Sequence, residues 1–485
     1  MGKDDLDPEG TRLPIKIDRT SNGEYVPPLL TRTQRLARKL AHEAASENAR
    51  RLGLSRRAFL VSAAGAASTL AACNRANADA RGGSFAVDAE AALDQQRAAA
   101  AVGGDEFIFD VQTHCVEPSG RWAQGADGQR WARSLRQVFG QAAKCSSDSF
   151  DCYSAQTLAR EVFLDSDTDA AVVSALWGQP NPTPLDYASE ARQIVAAIGG
   201  EGARALIHGG VFPQEAGAIE AMDEMAQRYR VEAWKLYPQY GSNGRGIFLD
   251  RSDAANRFFE RARALNVKIV AVHKGVPLPG LEYEYSSPRD MGPAAVANPD
   301  LNFLVYHGGF ESGKTEGPYN PSNPQGVDRL IKSHLDAGLQ RNQGNLYAET
   351  GSLWRYFMTR PDEAAHVIGK LLRYFGEERI LWGTDSIWYG SPQDQIQAFR
   401  AFEISAEFQE RYGYPALTPE AKRRIFGLNG ARVYNIDVAG LHGRGALAER
   451  RAAYRESPNP SFATFGPKSR REFLALWDAR GGVPG

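Results

Sequence analysis

Phe107-Ile-Phe-Asp-Val-Gln-Thr-His-Cys-Val-Glu-Pro118 decides how the rest of the chain is read. Phe107, Ile108, Phe109 and Val111 form a short apolar run of the kind that makes a buried strand. The run gives way to Gln112, Thr113 and His114 and turns at Pro118. Three further apolar runs stop on a polar side chain in the same way. Val267-Lys-Ile-Val-Ala-Val-His273 ends in His273, Leu301-Asn-Phe-Leu-Val-Tyr-His307 in His307, and Arg379-Ile-Leu-Trp-Gly-Thr-Asp385 in Asp385. Other strand-like runs cover 170–176, 204–211, 231–237 and 345–350, with helical spacing between runs, as at 214–229, 254–265 and 361–375. Eight strand–helix units in order predict an α/β fold, an (α/β)8 TIM barrel occupying residues 105–436. The C-terminal strand ends of such a barrel share one mouth, so His114, His273, His307 and Asp385 are expected to meet there.

The composition excludes several classes. With 485 residues, a formal net charge of −1 and ordinary apolar content, nothing favours nucleic acid or another polyanion as a partner. No apolar run is long enough for a stable membrane span. Four cysteines, Cys73, Cys115, Cys145 and Cys152, are too few for a disulfide scaffold and lack zinc-site spacing. Cys145 and Cys152 read equally as a pair in an exported protein or as two free thiols.

Residues 1–54 read as a polar, basic extension with little fixed structure before Pro28 and a helix from about Thr31 to Leu52. Ser55-Arg-Arg-Ala-Phe-Leu60, followed by the small apolar run Val61 to Leu70, has the order of a twin-arginine export signal. Leu70-Ala-Ala-Cys73 has the form of a lipobox, in which Cys73 would be acylated. Residues 55–73 are therefore expected to send the protein to the periplasm, or to anchor it by lipid at the cell envelope, against an alternative of a cytoplasmic protein with an Ala-rich helix. Residues 74–104 read as a linker with a short helix at 88–101, and 437–485 as a polar tail with one helix at 468–477. The insertion at 119–154 is long enough to be functional.

Imidazole and carboxylate at converging strand ends suit zinc, and also manganese or iron. At this point the chain resembles the amidohydrolase superfamily, in the amidohydrolase-related branch that includes aminocarboxymuconate semialdehyde decarboxylase and the hydroxybenzoate decarboxylases. The resemblance is carried by Asp110-Val-Gln-Thr-His114, His307-Gly308-Gly309, Gly383-Thr384-Asp385 and the closing Ile425-Phe-Gly-Leu-Asn-Gly-Ala431. It implies one divalent ion, with zinc the first expectation, held by His114, His273 and Asp385, and a water made acidic by the ion. It gives His307 the role of orienting or deprotonating that water, and Asp385 a second role as proton shuttle. Relatives usually carry His-x-His or Glu-x-His on the first strand, where this chain has Gln112. Gln112 is therefore read as a weak fourth ligand or as a hydrogen-bonding group that positions one. Lys235, carboxylated and bridging in two-metal relatives, reads here as a structural or substrate-pairing lysine.

Trp177, Tyr237, Trp354, Trp388 and Tyr389 follow or end strands, which points to an aromatic or flat ligand. Arg245, Arg289 and Arg355 stand after strands as candidates for a substrate carboxylate. The expected activity is metal-dependent hydrolysis of an ester, lactone or amide in a small aromatic or carboxylated substrate. Two alternatives stand beside it: a nonoxidative decarboxylase of an aromatic or unsaturated acid, and a non-catalytic binding barrel. The expected partner is a small molecule, with a homodimer allowed for.

Overall fold

The computed structural model describes residues 7, 10–88, 90–139, 150–200, 204–241, 245–276, 278 and 282–481. Before the barrel the chain runs through α1 (Arg32–Arg51), α2 (Arg56–Leu60), α3 (Ala63–Ala76), β1 (Gly83–Phe85) and α4 (Gln95–Val102). Thr31 and Gln34 close a capping box at the start of α1. Ala37, Ala41, Ala45 and Ala49, four apart, give α1 a buried stripe of small side chains, and α3 lies along the helix.

The barrel strands are β2 (Phe109–Thr113), β3 (Ala170–Val173), β4 (Ala205–Val211), β5 (Ala233–Leu236), β6 (Ile269–His273), β7 (Asn302–Tyr306), β8 (Leu346–Glu349) and β9 (Ile380–Leu381). They pair in parallel in chain order. Backbone bonds from Val111 N to Trp382 O, Asp385 N to Gln112 O and His114 N to Ser386 O join the last strand's continuation to the first. β10 (Phe402–Ile404) pairs antiparallel with β1, apart from the barrel. The eight expected strands are all present.

Alternate residues along each strand enter different cores, as the two-residue repeat requires. Val111, Val172, Leu206, Ala233, Ala271, Leu304 and Leu381 fill the interior with Phe109, Tyr306 and Tyr434. Their neighbours, such as Ile207, Val270, Val272 and Val305, join the larger core beneath the helices. A third, aromatic cluster includes Trp131, Phe139, Tyr153, Trp177, Tyr237 and Trp388.

The N-terminal extension differs from its sequence reading. Leu13, Ile15, Ile17 and Tyr25 are buried and belong to the same core as α1, α3 and the barrel helices. The alternation Leu13-x-Ile15-x-Ile17 is the pattern of an extended segment lying on an apolar surface, embedded in a polar stretch that hides it. The tail is likewise packed: helices Gly445–Glu456 and Arg470–Ala479 form, and Leu476 enters the aromatic cluster. Residues 74–104 contain β1 and α4. Cys152 is disulfide-bonded, whereas Cys145 lies outside the described residues. Among the described residues no helix is long and apolar enough to cross a membrane.

Candidate metal centre

Each candidate ligand stands where its strand ends. His307 and Asp385 both have left-handed backbones, with φ of 63° and 60°, and so does Ser352, at 55°. Such conformations cost a non-glycine residue about 1–3 kcal/mol and gather where function demands them. His114, His273, His307 and Asp385 are each at most 2% exposed.

The histidine rings are oriented by the main chain. A carbonyl oxygen can only accept, so the nitrogen facing one carries the proton. His114 Nδ1 lies 2.9 Å from Ser174 O, His273 Nε2 3.1 Å from Val276 O, and His307 Nδ1 2.9 Å from Gly351 O. His273 and His307 therefore offer their other nitrogens, as lone pairs, to the site, while His114 Nε2 faces Asp385. His307 Nε2 and His273 Nδ1 then face each other at 3.2 Å. Burial keeps His307 down at about 4 and His273 well below the usual range, so neither ring readily supplies a proton between them.

Glu24 approaches the same point from the N-terminal extension. Its carboxylate oxygens lie 3.7 Å from His273 Nδ1 and 3.7 Å from His307 Nε2. Ligands around a tetrahedral zinc are about 3.3–3.6 Å apart, given bonds of about 2.0–2.2 Å. Among the described residues Glu24, His273 and His307 form the group whose ligand atoms all lie within 4.8 Å of one another. Burial, then the charge of Asp385, pushes the Glu24 carboxyl well above its usual range.

Asp385 pairs with His114 beside this group, with Oδ1 3.2 Å from His114 Nε2. Gln112 Nε2 donates to the same oxygen at 3.2 Å, and Gln112 Oε1 is buried without a hydrogen-bond partner. Asp385 Oδ2 accepts from Asn22 Nδ2 at 2.7 Å and from Ser352 Oγ at 2.6 Å. Ser352 thus spends its one proton on Asp385, so Tyr389 donates to Ser352 at 2.7 Å, and Tyr25 to Tyr389 at 2.9 Å. Burial opposes the Asp385 charge, yet the His114 and Ser352 hydrogen bonds hold its carboxyl below the usual range.

The expected ligands are thus close together but grouped differently. His307, expected to handle the water's proton, stands in the possible ligand group with His273. His114 and Asp385, expected as ligands, form an adjacent pair, and Gln112 reaches Asp385. Glu24, Asn22 and Ser352 were not anticipated.

Around this centre Trp388 stacks on His114 at 6.1 Å and Tyr237 on His273 at 5.0 Å, while Trp177 packs against Trp131 at 5.2 Å. Trp354 is a correction. Its Nε1 donates to Gln395 O at 2.9 Å and its ring packs on Phe399 and Phe402, because the helix Leu353–Phe357 turns it towards the outer layer. Arg355 is also committed elsewhere, to Lys16 O and Asp18. Arg289 pairs with Glu284.

Lys235 Nζ is buried without a hydrogen-bond partner, 3.6 Å from the Tyr306 ring centroid and 4.5 Å from that of Tyr237. Burial brings its ammonium down to about 7. Arg480, 2% exposed, lies over Trp131 at 4.2 Å. Among the described residues neither cation has a carboxylate within 4.0 Å.

The signal-like stretch is folded. Arg56 Nε donates to Gly10 O at 2.7 Å, Arg57 Nη2 to Pro460 O at 2.7 Å, and Cys73 is 2% exposed near the end of α3.

A family model described as Amidohydrolase matches residues 181–436. No curated protein matches the chain. Among solved structures, the chain is similar to an uncharacterised TIM-barrel protein from Bordetella bronchiseptica, at 15% identity and a TM-score of 0.42, covering 70% of this chain and 99% of that one. It is also similar to 5-carboxyvanillate decarboxylase from Sphingomonas paucimobilis, at 15% identity and a TM-score of 0.38, covering 68% and 99%. For 4-oxalomesaconate hydratase from Rhodopseudomonas palustris the values are 16% and 0.37, covering 72% and 99%.

Proposed function

The chain belongs to the amidohydrolase family, and on that premise we propose that it is a metal-dependent hydrolase acting on a carbonyl group of a small, carboxylated, aromatic-faced substrate. The observation that carries the metal is the pair of lone pairs facing each other at 3.2 Å, with a carboxylate 3.7 Å from both nitrogens. Acceptors brought this close repel one another unless a cation lies among them.

Glu24, His273 and His307 would hold the ion, with zinc the first choice and manganese or iron also compatible with the donors. When bound, a divalent cation supplies positive charge that polarises a carbonyl oxygen and makes a neighbouring water more acidic. Asp385 accepts that water's proton through Oδ1, the oxygen nearest His114, while Ser352 and Asn22 hold Oδ2 and fix the carboxylate plane. Trp388, Trp177 and Tyr237 offer flat faces to the substrate. Lys235 and Arg480 supply the positive charge for its carboxylate, which supports an anionic substrate over a neutral one.

Turnover in ¹⁸O-labelled water tests the reaction class. Zinc-loaded protein is presented with aromatic esters, lactones, amides and free acids, and the products are read by mass spectrometry. Hydrolysis places one labelled oxygen in the product acid. Carbon dioxide release from a free acid, without label in the organic product, would instead establish a decarboxylase.

A further inference from the structure

The strap that precedes α1 reaches the centre from outside the barrel. Asn22 Nδ2 donates to Glu24 Oε2 at 2.6 Å and to Asp385 Oδ2 at 2.7 Å, so one amide ties the strap's carboxylate to the barrel's. We propose that Asn22 and Glu24 are working residues of the site, Glu24 as a ligand of the ion and Asn22 as a positioning residue for Asp385, and that the functional chain therefore keeps its N-terminal strap. This rests on the metal reading above.

Two observations fix the strap in place, and a third bears on what Glu24 would hold. Its anchors are buried: Lys16 Nζ donates to Tyr389 O at 2.9 Å and Ser391 O at 2.6 Å and pairs with Asp394 at 3.2 Å. Arg355 grips Lys16 O at 2.8 Å and Asp18 at 2.6 Å, and the Ser21 amide donates to Pro467 O at 2.9 Å. The turn is made for this place. Gly23 has φ of +89°, and a Cβ there would come within 2.7 Å of Leu476 Cδ2 and 2.8 Å of Phe139 Cζ. Among the described residues, the one side-chain hydrogen bond to the Glu24 carboxylate comes from the neutral amide of Asn22. A largely buried carboxylate with one neutral donor, beside two lone pairs, is completed by a cation.

A consequence concerns maturation. The signal-like stretch 55–73 follows the strap in sequence, so cleavage at its end would remove Asn22 and Glu24 together. An exported form therefore retains the stretch uncut.

Zinc content and the visible spectrum of the cobalt-substituted, full-length protein test the proposal, with folding checked by circular dichroism. Wild type is expected to hold one ion per chain. Glu24→Gln is expected to bind zinc about tenfold or more weakly and to change the cobalt d–d bands. Asn22→Ala is expected to keep the ion and the wild-type circular dichroism yet shift those bands, since it frees the Glu24 and Asp385 oxygens that the amide ties together; unshifted bands overturn its positioning role. If Glu24→Gln fails to fold, Glu24→Asp gives the same reading with a smaller loss. Normal zinc uptake and an unaltered cobalt spectrum in Glu24→Gln, alongside loss of the ion in His273→Asn, overturn the strap's role and leave an ion held by the histidines without Glu24. Folded wild type that takes up no ion overturns both. The intact mass of ion-loaded protein made with the export machinery is expected to include residues 12–25, and loaded protein beginning at Cys73 contradicts the proposal.

Discussion

Lys235 shows how a single buried group links stability to binding. An ammonium held between two tyrosine rings without a hydrogen bond is costly in the empty protein, and burial already lowers its proton affinity to a pKa of about 7. Lys235→Met is therefore expected to leave the thermal midpoint unchanged or raised, while KM for a carboxylated substrate rises about tenfold or more. A lowered midpoint with unchanged KM would make the lysine structural. The same scale shows where reading the sequence stops. His114, His273, His307 and Asp385 were legible because each interrupts an apolar run at a strand end. Asn22 and Glu24 were not, because they lie in a polar stretch with no strand to aim them, and Asn22 meets Asp385 across 363 residues. Trp354 misled for a related reason: it follows a strand in sequence, but the intervening turn rotates it outward.

At the scale of elements, continuous apolar runs predicted the barrel, because parallel strands buried on both faces read as unbroken apolar stretches and eight of them in turn with helices have few alternative arrangements. The strap carries an alternation instead, at Leu13, Ile15 and Ile17, over too few residues to stand out from its polar neighbours. The helix Asp328–Asp336 carries a separate, testable charge effect. It buries His334 against Phe375 at 4.2 Å, and burial pushes the imidazole down to about 4. A folded pKa below the unfolded value means that the unfolded chain binds the extra proton first. Stability is therefore lost as pH falls from about 6.5 towards about 4. His334→Leu is expected to reduce the loss between pH 7 and 4.5 by on the order of 2 kcal/mol in urea denaturation. Equal acid sensitivity in the variant and the wild type would show that His334 plays no part.

For the whole molecule, the extension, barrel and tail share one packing arrangement. Leu13, Ile15, Ile17, Phe59, Leu60 and Leu70 belong to the core that also holds the barrel's outer faces. Full burial of each such side chain contributes about 1.5–3 kcal/mol, so their joint loss approaches a typical net stability of about 5–15 kcal/mol. A chain starting at residue 74 is expected to aggregate or to melt at least about 10 °C lower. A truncated protein with the full-length midpoint would make the extension an appendage. The twin-arginine order at Ser55–Leu60 was visible in the sequence, but its packing was not, since a short basic and small-residue helix serves export and tight helix contact equally well.

Anomalous diffraction at the zinc edge, from crystals of the full-length protein grown with zinc, bears most directly on the central claim. The account predicts one peak in the barrel mouth, about 2.0–2.2 Å from His273 Nδ1, His307 Nε2 and a Glu24 oxygen. An ordered mouth with no peak among those three side chains would contradict it.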